Sequence, residues 1–233
     1  DRLKFLKQLV SVPSPSGFER PAQEVVRKRL GRQVKNRYDV HGNLISELNP
    51  GAEVRIMLAG HVDEIGLMVT YIDSKGFVYF DTIGGHDPNI LVGQRVMVHG
   101  EKGDVPGVIG KKPIHLMEPE DRKKGTEIKS LWIDIGARNK KDAEKSVAVA
   151  DAITVDAGFF PLKNDIVAAR GFDDRVGTFI VAETMLELAG KKSRLKVAVC
   201  SRRAGKSHGI SLAMLKAGFM YPGSTPMYMH GTR

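Results

Sequence analysis

A single cysteine, Cys200, stands among 233 residues. It excludes an internal disulfide and fits a reducing cytoplasm. No run of about 18 uncharged apolar residues occurs, so no segment is read as a membrane-spanning helix. No P-loop, no GxGxxG after a strand and no GxSxG is present, which leaves nucleotide and serine chemistry without support. A basic-plus-apolar leader is also missing, and the start at Asp1 leads us to expect only that a few residues precede it.

The most telling absence is of acids. Residues 1–189 hold 27 Lys and Arg against 27 Asp and Glu, whereas residues 190–233 hold nine basic residues and no acid. At the acid density of the rest, that tail would carry about six. The net charge of +9 is therefore a property of the tail. Nucleic-acid binding through it rests on charge alone, with no aromatic platform beside it, and is not expected.

What is present is a chain long enough for one large domain or two modest ones. Leu3, Leu6, Leu9 and Val10 share a helical face that Pro13 ends, and a second helix is expected over 19–30, burying Val25, Val26 and Leu30. The stretch YDVHGNLISEL reads as a hairpin around His41-Gly42-Asn43. Two strand-like runs, 54–59 and 65–71, enclose GHVDE. From about Thr70 to Phe160 the texture changes to short β runs cut by glycine, the pattern of a small barrel or sandwich, with a helix near 140–145. Beyond it come a strand over 164–169, a helix over 176–188 burying Val176, Phe179, Ile180, Met185 and Leu186, and a strand LKVAV at 195–199. The expected architecture is an α/β domain, 1–69 and 160–233, interrupted by a β-domain, 70–159.

Three stretches carry chemistry. In GHVDE, His61 and Asp63 leave one face of an extended chain, a ligand imidazole beside the carboxylate that fixes its tautomer. The plain alternative is a strand-end histidine satisfied by a carbonyl. In GFDDRVG, Asp173 and Asp174 crowd like charge at a strand-to-helix junction, which a cation or the helix amides must offset. A short aspartate that lends one oxygen to each of two ions suits a two-metal site, in which ions about 3.5–4 Å apart clamp a nucleophilic water. The alternative is an N-cap with an Asp174–Arg175 surface pair. Third, LKVAVCSRRAG delivers Arg202 and Arg203 to the carboxyl end of a strand, where α/β sheets place their crevice. Arginines hold a carboxylate or phosphate there, but neither ligate a metal nor act as a base. His86, His99 and His115 lack ligand spacing and read as surface or hairpin residues. Lys111, Lys112 and 122–124 read as a mixed solvated face, and Leu131, Trp132 and Ile133 as barrel core or subunit contact.

Taken in order, SVPSPSGFE, LAGHVDEIGLMV, GQRVMVHGEKGDVPGVIG, HLMEPEDRKKG, LWIDIGA and AARGFDDRVG resemble the tetrahedral, TET-type, metallo-aminopeptidases over about residues 1–199. Members are labelled glutamyl aminopeptidase, deblocking aminopeptidase or, misleadingly, endoglucanase. The resemblance implies a phosphorylase/hydrolase-like α/β zinc-peptidase domain with an inserted PDZ-like or barrel-like dimerisation domain. It also implies dimers or hollow dodecamers, two zinc or cobalt ions, and peptides as substrates. His61 would then ligate one metal, Asp63 would orient His61, and Asp173 would bridge both ions.

Where the family has a VQEEVG-type segment, whose first Glu is the general base and whose second is a ligand, this chain reads CSRRAG. Arg202 and Arg203 stand at the Glu-Glu positions, and about 100 further family residues are absent, although His230 stands in a faint likeness of the last His motif. Two explanations compete. One is a shortened paralogue that kept the scaffold and lost the chemistry. The other, which we favour, is a reading-frame slip near Val199, because codons for Val-Cys-Ser-Arg-Arg read in another frame can spell Val-Gln-Gln-Glu. The expected function is a dinuclear metal-dependent aminopeptidase, impaired in this chain. A non-catalytic oligomerisation or peptide-binding scaffold is the alternative.

Overall fold

A computed structural model describes residues 2–51, 56–120 and 125–189, divided into two units. One takes the residues up to Glu64 and from Gly158 onward; the other is Ile65–Ala157. Arg202, Arg203, His230, Cys200 and the 195–199 strand all lie outside the described residues.

In the first unit, α1 (Arg2–Ser11) buries Phe5, Leu9 and Val10. The aromatic at position 5 takes the core slot, and Leu3, expected inside, is 61% exposed. Helix α2 (Arg20–Leu30) carries Pro21 in its first turn and buries Ala22, Val26 and Leu30. The hairpin forms as β1 (Lys35–Tyr38) and β2 (Leu44–Glu47), with Asp39 accepting from the His41 and Asn43 amides across a turn in which Gly42 has φ +82°. Residues 56–60 carry no strand pairing among the described residues, against the strand expected over 54–59.

A second hairpin closes the return to this unit: β9 (Phe160–Pro161) pairs with β10 (Val167–Ala168). The strand expected over 164–169 therefore starts late. Asn164 and Asp165 take φ +59° and +57°, turn geometry that a short polar side chain tolerates. The last described helix (Phe172–Ala189), called α5 below, buries Thr178, Val181, Ala182 and Met185 against Phe5, Leu9, Val26 and Leu44.

The second unit is a closed six-stranded antiparallel barrel. Its strands are β3 (Gly66–Ile72), β4 (Val78–Ile83), β5 (Arg95–Gly100), β6 (Gly103–Lys111), β7 (Leu131–Asp134) and β8 (Ala152–Val155), in the order β3-β4-β7-β6-β5-β8. Two short helices, α3 (Pro88–Leu91) and α4 (Lys140–Ala143), plug it. Alternation puts Leu67, Val69, Val78, Phe80, Val96, Val98, Ile109, Leu131, Ile133 and Ile153 inside. Trp132 faces the other way, onto Phe77, with ring centroids 5.6 Å apart.

His99, expected at the surface or in a hairpin, lies in the β5–β6 hairpin but is buried between Asp104 and Thr154, its ring nitrogens 2.8 and 2.9 Å from their oxygens. The reason is its register: β5 pairs it with Asp104 on one side and Ala152 on the other. No helix among the described residues is long and apolar enough to cross a membrane.

Candidate metal centre

The chain from Gly60 to Asp63 runs extended without a ladder of its own, and side chains of α5 satisfy its carbonyls. Thr178 Oγ1 donates to His61 O at 3.0 Å, and Arg175 Nε donates to Val62 O at 2.9 Å. Gly60 permits this approach: a Cβ there would lie 2.7 Å from the Thr178 amide nitrogen.

His61 sits between two carboxylates. Its Nδ1 is 3.2 Å from Asp63 Oδ1 and 3.2 Å from Asp63 O, so the ring proton belongs on Nδ1. With that tautomer Nε2 offers a lone pair 3.3 Å from Asp173 Oδ1, an approach of two acceptors that a cation between them would relieve. Asp63 is buried and is itself held by the Ser16 hydroxyl, which donates to its other oxygen. Asp173 has 82% of its side chain exposed.

The aspartate pair divides its work. Asp174 Oδ1 accepts the Gly177 amide at 3.1 Å and caps the helix, while Asp173, outside helical dihedrals, faces His61. The Asp174–Arg175 surface pair set against the metal reading does not form. Arg175 is fully buried, pointing away from solvent into the unit. Burial pushes its guanidinium below the ordinary value, and the Glu64 carboxylate beside it works the other way.

Glu64, Arg170 and Arg175 were invisible as a set in the sequence. Glu64 Oε1 accepts from Arg175 Nη2 at 2.9 Å and from the Ser14 amide at 3.1 Å, and Arg170 Nε lies 3.2 Å from both carboxylate oxygens. The available signal was periodicity. Positions 175, 178, 182 and 185 fall on one helical face, and Arg175 is the charged member of it. Val176 and Ile180, expected inside, are 37% and 50% exposed because the buried stripe lies on this other face.

The donor set fits a metal ion in part. Two ligands at about 2.0–2.1 Å from a tetrahedral ion stand about 3.3–3.4 Å apart, the separation of His61 Nε2 and Asp173 Oδ1. No group of three or more His, Cys, Asp or Glu forms among the described residues, so among them only these two donors converge there. Of the other histidines singled out in the sequence, His115 is exposed, His99 is engaged as described, and burial holds the His86 imidazole below its usual range.

Comparison with known proteins gives a consistent picture. The family model described as M42 glutamyl aminopeptidase matches residues 42–202. A lysyl aminopeptidase of Pyrococcus furiosus is 31% identical over 191 residues, 79% of this chain and 54% of that protein. Among solved structures, a TET aminopeptidase from a marine-sediment thaumarchaeon superposes with a TM-score of 0.83 at 30% identity, covering 91% of this chain and 62% of that one. A Pyrococcus horikoshii TET1 peptidase, described as assembling into a tetrahedron or a large octahedral shell, gives 0.80 at 32%, covering 98% and 67%. The chain spans about half the length of the curated relatives it matches.

Proposed function

Because the chain belongs to the M42 glutamyl aminopeptidase family, we propose that it is built for dinuclear, metal-dependent removal of N-terminal residues from peptides. The observation that carries this reading is the convergence of the His61 Nε2 lone pair and the Asp173 carboxylate, with Asp63 holding the far side of the ring.

In this reading His61 and Asp173 would hold the metal, zinc or cobalt, and Asp173 would also serve the second ion of the pair. Ions bound there would supply an activated water and polarise the scissile carbonyl. Asp63 keeps the His61 proton on Nδ1, which preserves Nε2 as a donor, and the Ser16 hydroxyl keeps Asp63 aimed. Asp174 spends its carboxylate on the helix cap and leaves Asp173 free.

The catalytic domain, expected over 1–69 with 160–233, is then the unit that ends at Glu64 and resumes at Gly158, because Gly66–Val69 belong to barrel strand β3, and Ile65–Ala157 is a PDZ-like dimerisation domain, in a cytoplasmic protein that self-associates as a dimer or dodecamer. Support for self-association comes from neighbours described as a dodecamer and as tetrahedral or octahedral shells.

Turnover by this chain is impaired, because Arg202 and Arg203 stand where the general base and a ligand belong. The family match ending at residue 202 supports placing the departure there.

The experiment is equilibrium Co2+ or Zn2+ binding together with release of amino-acid 4-nitroanilides, using protein whose intact mass matches the 233 residues. We expect metal binding that His61→Ala and Asp173→Asn each weaken, with little or no turnover. Binding unaffected by both substitutions sinks the site, and clear metal-dependent release sinks the impairment. Folded protein that binds no metal at all supports the scaffold alternative.

A further inference from the structure

We infer that Arg175 is a positioning residue of the metal centre: its guanidinium locks the His61–Glu64 segment to the turn that carries Asp173. The use of this lock rests on the metal reading above, whereas its geometry does not.

Arg175 follows Asp174 directly, and its own amide donates to Gly171 O across the turn that presents Asp173. From there the side chain reaches three places. Nε donates to Val62 O, between His61 and Asp63, at 2.9 Å. Nη2 donates to Glu64 Oε1 at 2.9 Å. Nη1 donates to Leu9 O and Val12 O at the end of α1, at 2.9 and 2.8 Å. Four of the five guanidinium N–H groups are thus matched to acceptors on two separate segments.

Burying a guanidinium is costly, and an apolar residue would fill that slot of the helix as Ala182 and Met185 fill theirs. What the arginine adds is register. The fork fits one placement of the Val62 carbonyl and the Glu64 carboxylate, and a slip of the segment strands both. Thr178 repeats the logic one turn on, through His61 O. Gly171, with φ +72°, lies so close that a Cβ would be 3.1 Å from Arg175 Cζ and Glu64 Oε2. Nε2 of His61 is therefore aimed at Asp173 by a side chain that touches neither.

The test measures His61 directly, in the full chain and without added metal. Carbethoxylation by diethyl pyrocarbonate is followed at His61 by peptide mass spectrometry, with His99 of the barrel as reference, in wild type, Arg175→Met, Arg175→Lys and Val26→Ala. Val26 is fully buried in the same core, and its truncation reports loss of stability alone.

Expected is a several-fold faster reaction of His61 in Arg175→Met, a smaller rise in Arg175→Lys, and none in Val26→Ala. Co2+ binding should weaken by about 10- to 100-fold in Arg175→Met. Wild-type His61 rates in folded Arg175 variants, or an equal rise in Val26→Ala, overturn the lock. Where Arg175→Met does not fold, by far-UV circular dichroism, Arg175→Lys decides by the same criterion. Absence of Co2+ binding in wild type rejects the metal reading and leaves the His61 rates to decide the lock.

Discussion

The backbone of residue 60 touches α5 with nothing between them. A Cβ on Gly60 would meet the Thr178 amide nitrogen at 2.7 Å, its hydroxyl at 2.9 Å and its Cα at 3.0 Å. Two of those atoms are backbone, so the clash is not relieved by a rotamer change. Gly60→Ala should cost about 1–3 kcal/mol, the range for overpacking a tight contact. Because the Thr178 hydroxyl also anchors His61 O, the variant should weaken Co2+ binding as well. Urea unfolding with a metal titration checks both, and unchanged stability would mean that the segment and helix are not so closely apposed.

His61, Asp63 and Asp173 could be singled out because each is a chemically loaded residue in a short distinctive context, and the structure brings their side chains together. Glu64 and Arg175 were not, since their contact spans 111 residues of sequence and Arg175 beside Asp174 reads as half of a surface ion pair. Their burial comes from α1 and the Gly60–Glu64 segment closing around them, which no local pattern announces.

Helices and the first hairpin were read nearly in place from apolar spacing and turn residues. What failed was the choice of face. In α5 the sequence offers apolar residues on several sides, and Val176 and Ile180 were placed inside, although the buried stripe runs through Arg175, Thr178, Ala182 and Met185.

Helix α2 shows how such a face is reinforced from its rim. Glu24 Oε2 takes Arg27 Nη2 at 2.7 Å and Oε1 takes the Tyr38 hydroxyl at 2.7 Å, tying the helix to β1, while Arg20 lies 3.5 Å over the Tyr38 ring. Arg27, with help from Tyr38, lowers the Glu24 pKa from 4.5 to about 2. A depressed carboxylate stabilises the fold above its unfolded pKa, and that stability is lost as pH falls through the folded value. The group is partly solvated, so the contribution is about 1 kcal/mol rather than the full linkage figure. Glu24→Gln should therefore be less stable than wild type by about that much near neutral pH, and the two should converge as pH drops from 4.5 toward about 2. Chemical denaturation at a series of pH values checks it, and a gap that persists undiminished at the acid end would refute it.

At the scale of the molecule, the glycine-cut β texture of the middle of the chain was legible as a small barrel or sandwich, but the texture alone did not choose between the two. The strand order β3-β4-β7-β6-β5-β8 brings the first and last strands together, a long-range pairing with no local signature. That closure also explains how a β-domain can interrupt another unit. β3 and β8 are hydrogen-bonded neighbours, with Leu67 opposite Ile153 and Met68 opposite Ala152, so the barrel's entry and exit lie side by side. A chain that leaves a domain and returns at adjacent points leaves the host's continuity intact.

The barrel has no open sheet edge and holds its own apolar interior, from Leu67 and Val69 to Ile133 and Ile153, with Leu91, Ala143 and Val147 closing it. Residues 65–157 expressed alone should therefore fold. We expect a single cooperative thermal transition by circular dichroism and dispersed amide resonances. Ile133→Ala, at a fully buried position in that interior, should lower stability by about 2–5 kcal/mol. A fragment without a cooperative transition would show that the barrel depends on the rest of the chain, and would place its stability outside the closed sheet.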